Sequence, residues 1–149
     1  MRLLLVCNPG GHFSTMLGLK RFWSKHERAW VTYSKFDTDI LRGQETVHWV
    51  MMQEARMVIR AIINFIKALF ILFKYRPDMV ISTGASLAVP FIFAAKMLHI
   101  KTVYVESISR SEYLSLSGKL IYNIVDELYV QWPNCVTHYP KVKYRGIVV

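Results

Sequence analysis

Leu3-Leu4-Leu5-Val6-Cys7-Asn8-Pro9-Gly10-Gly11-His12 is the stretch that decides the fold. Five apolar residues with no polar alternation mark a strand covered on both faces, and the Asn-Pro-Gly-Gly that follows stops it in a tight turn. The apolar run is too short, and halts too abruptly, for a secretory signal. Residues 13–25 are then expected to be helical, with Ser14 near their start. Outward from this unit the same order repeats. Residues 29–33 and 46–50 read as strands rich in β-branched and aromatic residues. A long helix is expected over 53–75, stopped by Pro77. Strands at 79–82, 101–105 and 127–130 alternate with helices at 87–98 and 117–124. Strands alternating with helices at this spacing predict one α/β domain, a Rossmann-like doubly wound parallel sheet in the order 3-2-1-4-5-6.

The whole chain has 149 residues, enough for one good core and too few for two domains. Nineteen Lys and Arg against ten acids give a net charge of +9, which favours an anionic partner. Eight Phe, four Trp and seven Met are more than a soluble nucleic-acid-binding domain needs, so a membrane surface ranks above nucleic acid. Cys7 and Cys135 stand far apart with no C-x-x-C, which argues against a disulfide framework or a zinc site and fits a reducing cytosol. The longest apolar region, 58–73, is interrupted by Arg60, Asn64 and Lys67, whereas a spanning helix wants about 20 nearly charge-free residues. No transmembrane span is predicted.

Ligands of such sheets bind beyond the carboxyl ends of the strands, so three loops are candidates. In the first, Gly10 and Gly11 allow a tight turn, the free amides at a helix start favour an anion such as a phosphate, and His12 can act as a base toward a sugar hydroxyl. The blander reading is a plain strand-to-helix turn. The loop lacks G-x-G-x-x-G and the P-loop Lys, so neither NAD binding nor NTP hydrolysis is supported. The second, Ser82-Thr83-Gly84-Ala85-Ser86, would neighbour the first if the strand order holds; small residues there also serve close helix packing. The third is Glu106-Ser107-Ile108-Ser109-Arg110-Ser111-Glu112. Glu106 directly follows a buried run, where an ionised carboxylate needs a task or a partner: catalysis, a bond to the loop backbone, or a salt bridge to Arg110. Arg110 carries a donor fork suited to phosphate, although such residues are often only solvated.

On the long helix Arg56, Arg60, Asn64, Lys67 and Lys74 fall on one face, and the rest of the circumference, including Phe70 and Phe73, is apolar. A surface helix with its polar stripe in water is one reading, and a protein interface is another. The surplus of apolar residues favours a helix lying in a membrane interface with Arg56, Arg60 and Lys67 at the headgroups.

Gly10-Gly11-His12, Ser82-Thr83-Gly84-Ala85, Glu106-Ser107-Ile108-Ser109-Arg110 and Val130-Gln131-Trp132-Pro133, in this order along essentially the whole chain, resemble the acceptor-side subunit of split GT-B glycosyltransferases. That family includes the membrane-anchor subunit of the eukaryotic enzyme adding the second GlcNAc to dolichol-linked oligosaccharide, and bacterial PssD-like members of exopolysaccharide and capsule assembly. The resemblance implies the N-terminal half of a GT-B enzyme, with a partner subunit holding a UDP-sugar and this chain presenting a polyprenyl-diphosphate-linked saccharide. It implies that the chain is inactive alone and needs no metal or cofactor. His12 is then the first candidate for the base, with Glu106 as the base itself or the group orienting it. Gly10, Gly11, Ser82, Thr83, Gly84, Ser107, Ser109 and Arg110 would contact the acceptor. The eukaryotic subunit has an N-terminal transmembrane anchor, whereas the first strand here starts at residue 2; attachment to the cytoplasmic face of the plasma membrane would then be peripheral, through the long helix. A non-catalytic membrane scaffold that recruits a complete transferase is the alternative.

Overall fold

The computed structural model describes residues 1–54 and 56–148. Seven parallel strands form one sheet in the order β3-β2-β1-β4-β5-β6-β7. They are β1 (Arg2–Cys7), β2 (Glu27–Thr32), β3 (Val47–Trp49), β4 (Met79–Gly84), β5 (Lys101–Val105), β6 (Glu127–Val130) and β7 (Lys143–Tyr144). The helices are α1 (Gly11–Gly18), α2 (Lys20–Trp23), α3 (Val58–Tyr75), α4 (Ala88–Met97), α5 (Leu116–Ile121) and α6 (Asn134–His138). The predicted order of the first six strands is the observed one. β7 was not expected, because two residues are too few to show a period.

The sheet is covered on both faces, which is why β1 reads as an unbroken apolar run. Leu4 and Val6 pack with Ala29, Val31 and Val80 under α3 and α4, against Ala68, Leu72, Phe91 and Ala94. Leu3, Leu5 and Cys7 face the other way, toward Phe13, Met16 and Trp23 of α1 and α2. Trp30 of β2 is fully buried there, its ring 5.7 Å from Phe13 and 5.4 Å from Trp23 in edge-on contacts.

Two predicted helices differ in extent. The helix expected over 13–25 breaks at Gly18, a poor helix former. There the Met16 carbonyl accepts from both Leu19 N and the Trp23 indole, at 3.1 and 2.7 Å. The helix expected over 53–75 begins only at Val58. Gln53 and Glu54 precede it in an irregular segment, Ala55 lies outside the described residues, and Arg56 has φ 70°, a left-handed conformation that no right-handed helix contains. Its end is where Pro77 placed it: Arg76 takes the left-handed C-cap conformation after Tyr75.

Candidate functional site

β1 and β4 are neighbours, so the loops leaving their carboxyl ends meet. Val6 pairs with Ser82 but Cys7 pairs with Gly84, leaving Thr83 as an extra, bulged residue on β4. The two loops are tied together by Asn8, whose side chain is nearly buried. Its Oδ1 accepts from Ala85 N and Leu87 N at 3.0 and 3.1 Å, and its Nδ2 donates to the Gln53 carbonyl and Ser86 Oγ at 3.2 and 3.3 Å. Gln53 extends the network, donating to the Ser86 carbonyl at 2.9 Å and accepting from Asn64 of α3 at 2.9 Å. Asn8 and Gln53 are given no role by the sequence, and Asn64 enters it only as part of the polar stripe of the long helix. Their partners lie up to 79 residues away, and a polar residue ending a strand is the only local signal.

The bulge re-aims the Thr83 carbonyl at His12 Nδ1, 2.9 Å away. A carbonyl only accepts, so Nδ1 carries a hydrogen, and in the neutral imidazole the lone pair is then on Nε2. Thr83 Oγ1 closes the clamp by donating to the His12 carbonyl at 2.6 Å. Gly84, at φ +97°, lies under the ring: a Cβ there would stand 2.8 Å from His12 Nδ1 and 3.2 Å from the Tyr104 hydroxyl. Any side chain would push the imidazole off its partner. Gly10, at φ +90°, donates its amide to Asp37 Oδ2 at 2.6 Å. Asp37 follows β2 on the same edge of the sheet, and it was not singled out either.

Glu106 is fully buried at the end of β5. Its carboxylate accepts from Ser107 N (2.8 Å), Ser115 N (2.9 Å), Ser115 Oγ (2.9 Å) and the Tyr104 hydroxyl (3.3 Å). These partners fold the 107–115 loop back onto β5, and Ser115 in turn caps α5 by accepting from Gly118 N at 3.1 Å. Gly118 is small because Glu106 Oε2 occupies the space its Cβ would need. Burial, then the Glu106 charge, push the Tyr104 phenol far above its usual range, so Tyr104 remains a donor. Of the two structural readings of Glu106, the bond to the loop backbone is present and the salt bridge to Arg110 is not; among the described residues Glu106 also forms no hydrogen bond with His12. The His12 orienter is the Thr83 carbonyl. Ser107 and Ser109 share a 2.9 Å hydroxyl contact, and Arg110 is exposed beside them.

The predicted basic stripe of the long helix is corrected in orientation. Arg56 precedes α3. Arg60 donates to the Met52 carbonyl, Asn64 to that of Met51 and Lys67 to that of Trp49, at 3.1, 3.0 and 3.0 Å. Free carbonyls at the last residue of β3 and in the segment after it need donors, and these side chains supply them. The outward face is therefore apolar: Ile59 is 75% exposed, Phe70 74% and Phe73 66%, with Val58, Ile62 and Ile66 beside them. Phe93 and Met97 of α4 are also exposed, and Phe93 shares with Val58, Ile62 and Phe65 an apolar groove between the two helices. No helix among the described residues is long and apolar enough to cross a membrane, and none of their His, Cys, Asp and Glu side chains group as a metal site.

Comparison with known proteins adds relatives to this geometry. The family model described as "Oligosaccharide biosynthesis protein Alg14 like" matches residues 49–148. A curated protein of Yarrowia lipolytica, "UDP-N-acetylglucosamine transferase subunit ALG14", is 33% identical over 175 residues, covering 99% of this chain and 81% of that protein. Among solved structures, MurG of Acinetobacter baumannii superposes with a TM-score of 0.80 at 14% identity over 99% of this chain. A UDP-N-acetylglucosamine 2-epimerase from Rickettsia bellii gives 0.77 at the same identity. The chain spans 46% and 45% of those two structures. Its fold is that of the N-terminal half of GT-B enzymes such as MurG. That an epimerase shares it means the fold alone does not choose the reaction.

Proposed function

That the chain belongs to the Alg14-like family of oligosaccharide biosynthesis proteins is the premise from which we propose that it is the acceptor-side subunit of a two-component glycosyltransferase. A partner subunit holds the UDP-sugar, and this chain holds a polyprenyl-diphosphate-linked saccharide at the carboxyl edge of the sheet. The observation that carries the reading is the His12–Thr83 clamp at the junction of the two glycine loops. A base must expose a lone pair with the ring held still, and Nε2 meets that requirement.

His12 Nε2 takes the proton of the acceptor hydroxyl as its oxygen attacks the anomeric carbon. The bond from that carbon to the UDP oxygen breaks, UDP leaves on the partner's side, and the sugar is inverted. The Thr83 carbonyl, already bound to Nδ1–H, stabilises the imidazolium until it returns the proton to solvent. Glu106 acts at one remove, shaping the loop that carries Ser107, Ser109 and Arg110, which we assign to the acceptor together with Gly10 and Gly11; Ser82 and Gly84 are buried, the Ser82 hydroxyl accepting from Gly84 N at 3.1 Å, and they shape the second loop rather than touch the acceptor.

The apolar face of α3 lies in the lipid headgroup region, bringing the crevice to a substrate anchored in the bilayer. Exposed cations flank the helix at both ends, Arg56 before it and Lys74 and Arg76 at its close. Two buried free thiols suit a reducing compartment, so we assign the cytoplasmic face of the plasma membrane. Exopolysaccharide or capsule assembly is the setting that the resemblance to bacterial members supports.

Reconstitution tests the proposal. The purified chain should transfer no sugar from UDP-GlcNAc, UDP-galactose or UDP-glucuronic acid to a polyprenyl-diphosphate saccharide. Adding the partner subunit should produce transfer that neither component shows alone. Full activity of the partner by itself would instead make this chain a membrane scaffold.

A further inference from the structure

The Gly10 amide, which the sequence offered to a phosphate, already has an anion in front of it. Asp37 Oδ2 accepts from it at 2.6 Å. The position of this carboxylate is built into the fold: the next residue, Thr38, is fully buried, donates to the Tyr33 carbonyl at 2.9 Å and accepts from Lys35 N at 3.0 Å. That turn fixes the segment after β2 against the first glycine loop. Asp37 is half-exposed, and its second oxygen, Oδ1, has no hydrogen-bond partner among the described residues. Its charge also adds to burial in pushing the Cys7 thiol up, so it is felt at the end of β1.

Two consequences follow from chemistry. A phosphate approaching Gly10 meets a carboxylate at contact distance and is repelled. A neutral hydroxyl meets a free carboxylate oxygen and can donate to it in a charge-assisted hydrogen bond. We propose that Asp37 is a specificity-determining residue, which reserves the glycine-loop end of the crevice for the hydroxyls of the acceptor sugar and turns the diphosphate away from it. The inference rests on the acceptor-side reading and deepens it. The β2, β1 and β4 ends then hold, in spatial order, Asp37, His12 and the Thr83 bulge along the sugar. The diphosphate falls toward the exposed Arg110 after β5, two strand spacings or about 10 Å from β1.

The test has one arm that needs no turnover. With the full chain labelled for amide NMR, inorganic phosphate and pyrophosphate should leave the Gly10 and Gly11 amides of the wild type without a saturable shift. Asp37→Ala should give a saturable one. Saturable phosphate binding at Gly10 in the wild type, or none in Asp37→Ala, overturns the proposal. In the reconstituted transferase, Asp37→Asn keeps an oxygen for the Gly10 amide and removes the charge. It should raise the acceptor KM about 10-fold or more with a smaller change in kcat and an unchanged melting temperature. A fall in melting temperature with KM unaltered makes Asp37 a structural cap and overturns its role in specificity. Failure of transfer in the wild-type complex would count against the transferase reading, while the phosphate arm would still decide on Asp37.

Discussion

His12→Ala in the reconstituted transferase should lower kcat by about 10²- to 10⁴-fold, the usual worth of a positioned acid-base group, while leaving the fold and partner binding intact. The substitution removes a half-buried ring held by the Thr83 carbonyl and keeps the backbone carbonyl that accepts from Thr83 Oγ1. It leaves the Asn8 network between the loops in place, so the backbone should hold. Glu106→Gln should behave differently. It sets an amide NH₂ among groups that already donate, the amides of Ser107 and Ser115. A buried donor left without an acceptor costs about 1–3 kcal/mol, so the melting temperature should fall, with turnover lost in proportion to the folded, loop-ordered fraction. Kinetics and thermal melts on the two variants separate the roles. A stable Glu106→Gln protein with turnover as low as that of His12→Ala, and a double variant little worse than either, would instead make the two residues one catalytic unit. A nearly silent His12→Ala would remove the base assigned here.

Replacing Ile59, Ile62, Phe70 and Phe73 together by Ser should reduce partition onto lipid vesicles by on the order of 10²-fold or more. Fully burying one such side chain contributes about 1.5–3 kcal/mol, so even partial insertion of four accounts for that loss. All four are exposed in the isolated chain, so the change should not loosen the core. Arg60→Gln and Lys67→Gln should act mainly on stability, because those side chains serve the carbonyls of Met52 and Trp49. Arg56→Gln should weaken only a salt-sensitive part of the attraction, since charges at the surface are screened within about 8 Å at physiological ionic strength. Co-sedimentation with anionic vesicles checks the first and the third, and thermal melts check the second. Retention of the quadruple variant on vesicles would assign the apolar face of α3 to another protein.

The contrast between the two sides of α3 shows what a sequence can and cannot carry. The polar residues at 60, 64 and 67 share a face by helical spacing, and that much was legible. Periodicity does not say which face turns inward. Here the end of β3 and the segment after it leave three carbonyls that need donors, and that demand is tertiary. The same reason hid the start of the helix, where Arg56 is left-handed and Gln53 is engaged with Ser86 and Asn64. The sheet order was legible because strand, turn and helix alternate with few topologies open to them. So was the convergence of the first two loops, since adjacent strands bring their carboxyl ends together. The partner of His12 was not, because it depends on one bulged residue at Thr83. Asp37 has no signal of its own beyond the rule that ligands bind at the carboxyl edge, which covers the loop after β2 as well. Glu106 is legible as a buried charge needing partners, but burial alone does not tell a structural partner from a chemical one.

The central claim, that this chain holds the acceptor and leaves the donor to another subunit, is tested most directly by equilibrium binding to the purified chain alone. Nanodiscs carrying a polyprenyl-diphosphate-linked saccharide should bind more tightly than the same discs carrying the sugar-free polyprenyl phosphate, and UDP-GlcNAc should show no saturable binding. Saturable UDP-GlcNAc binding without a partner, together with equal affinity for the two kinds of disc, would contradict the account.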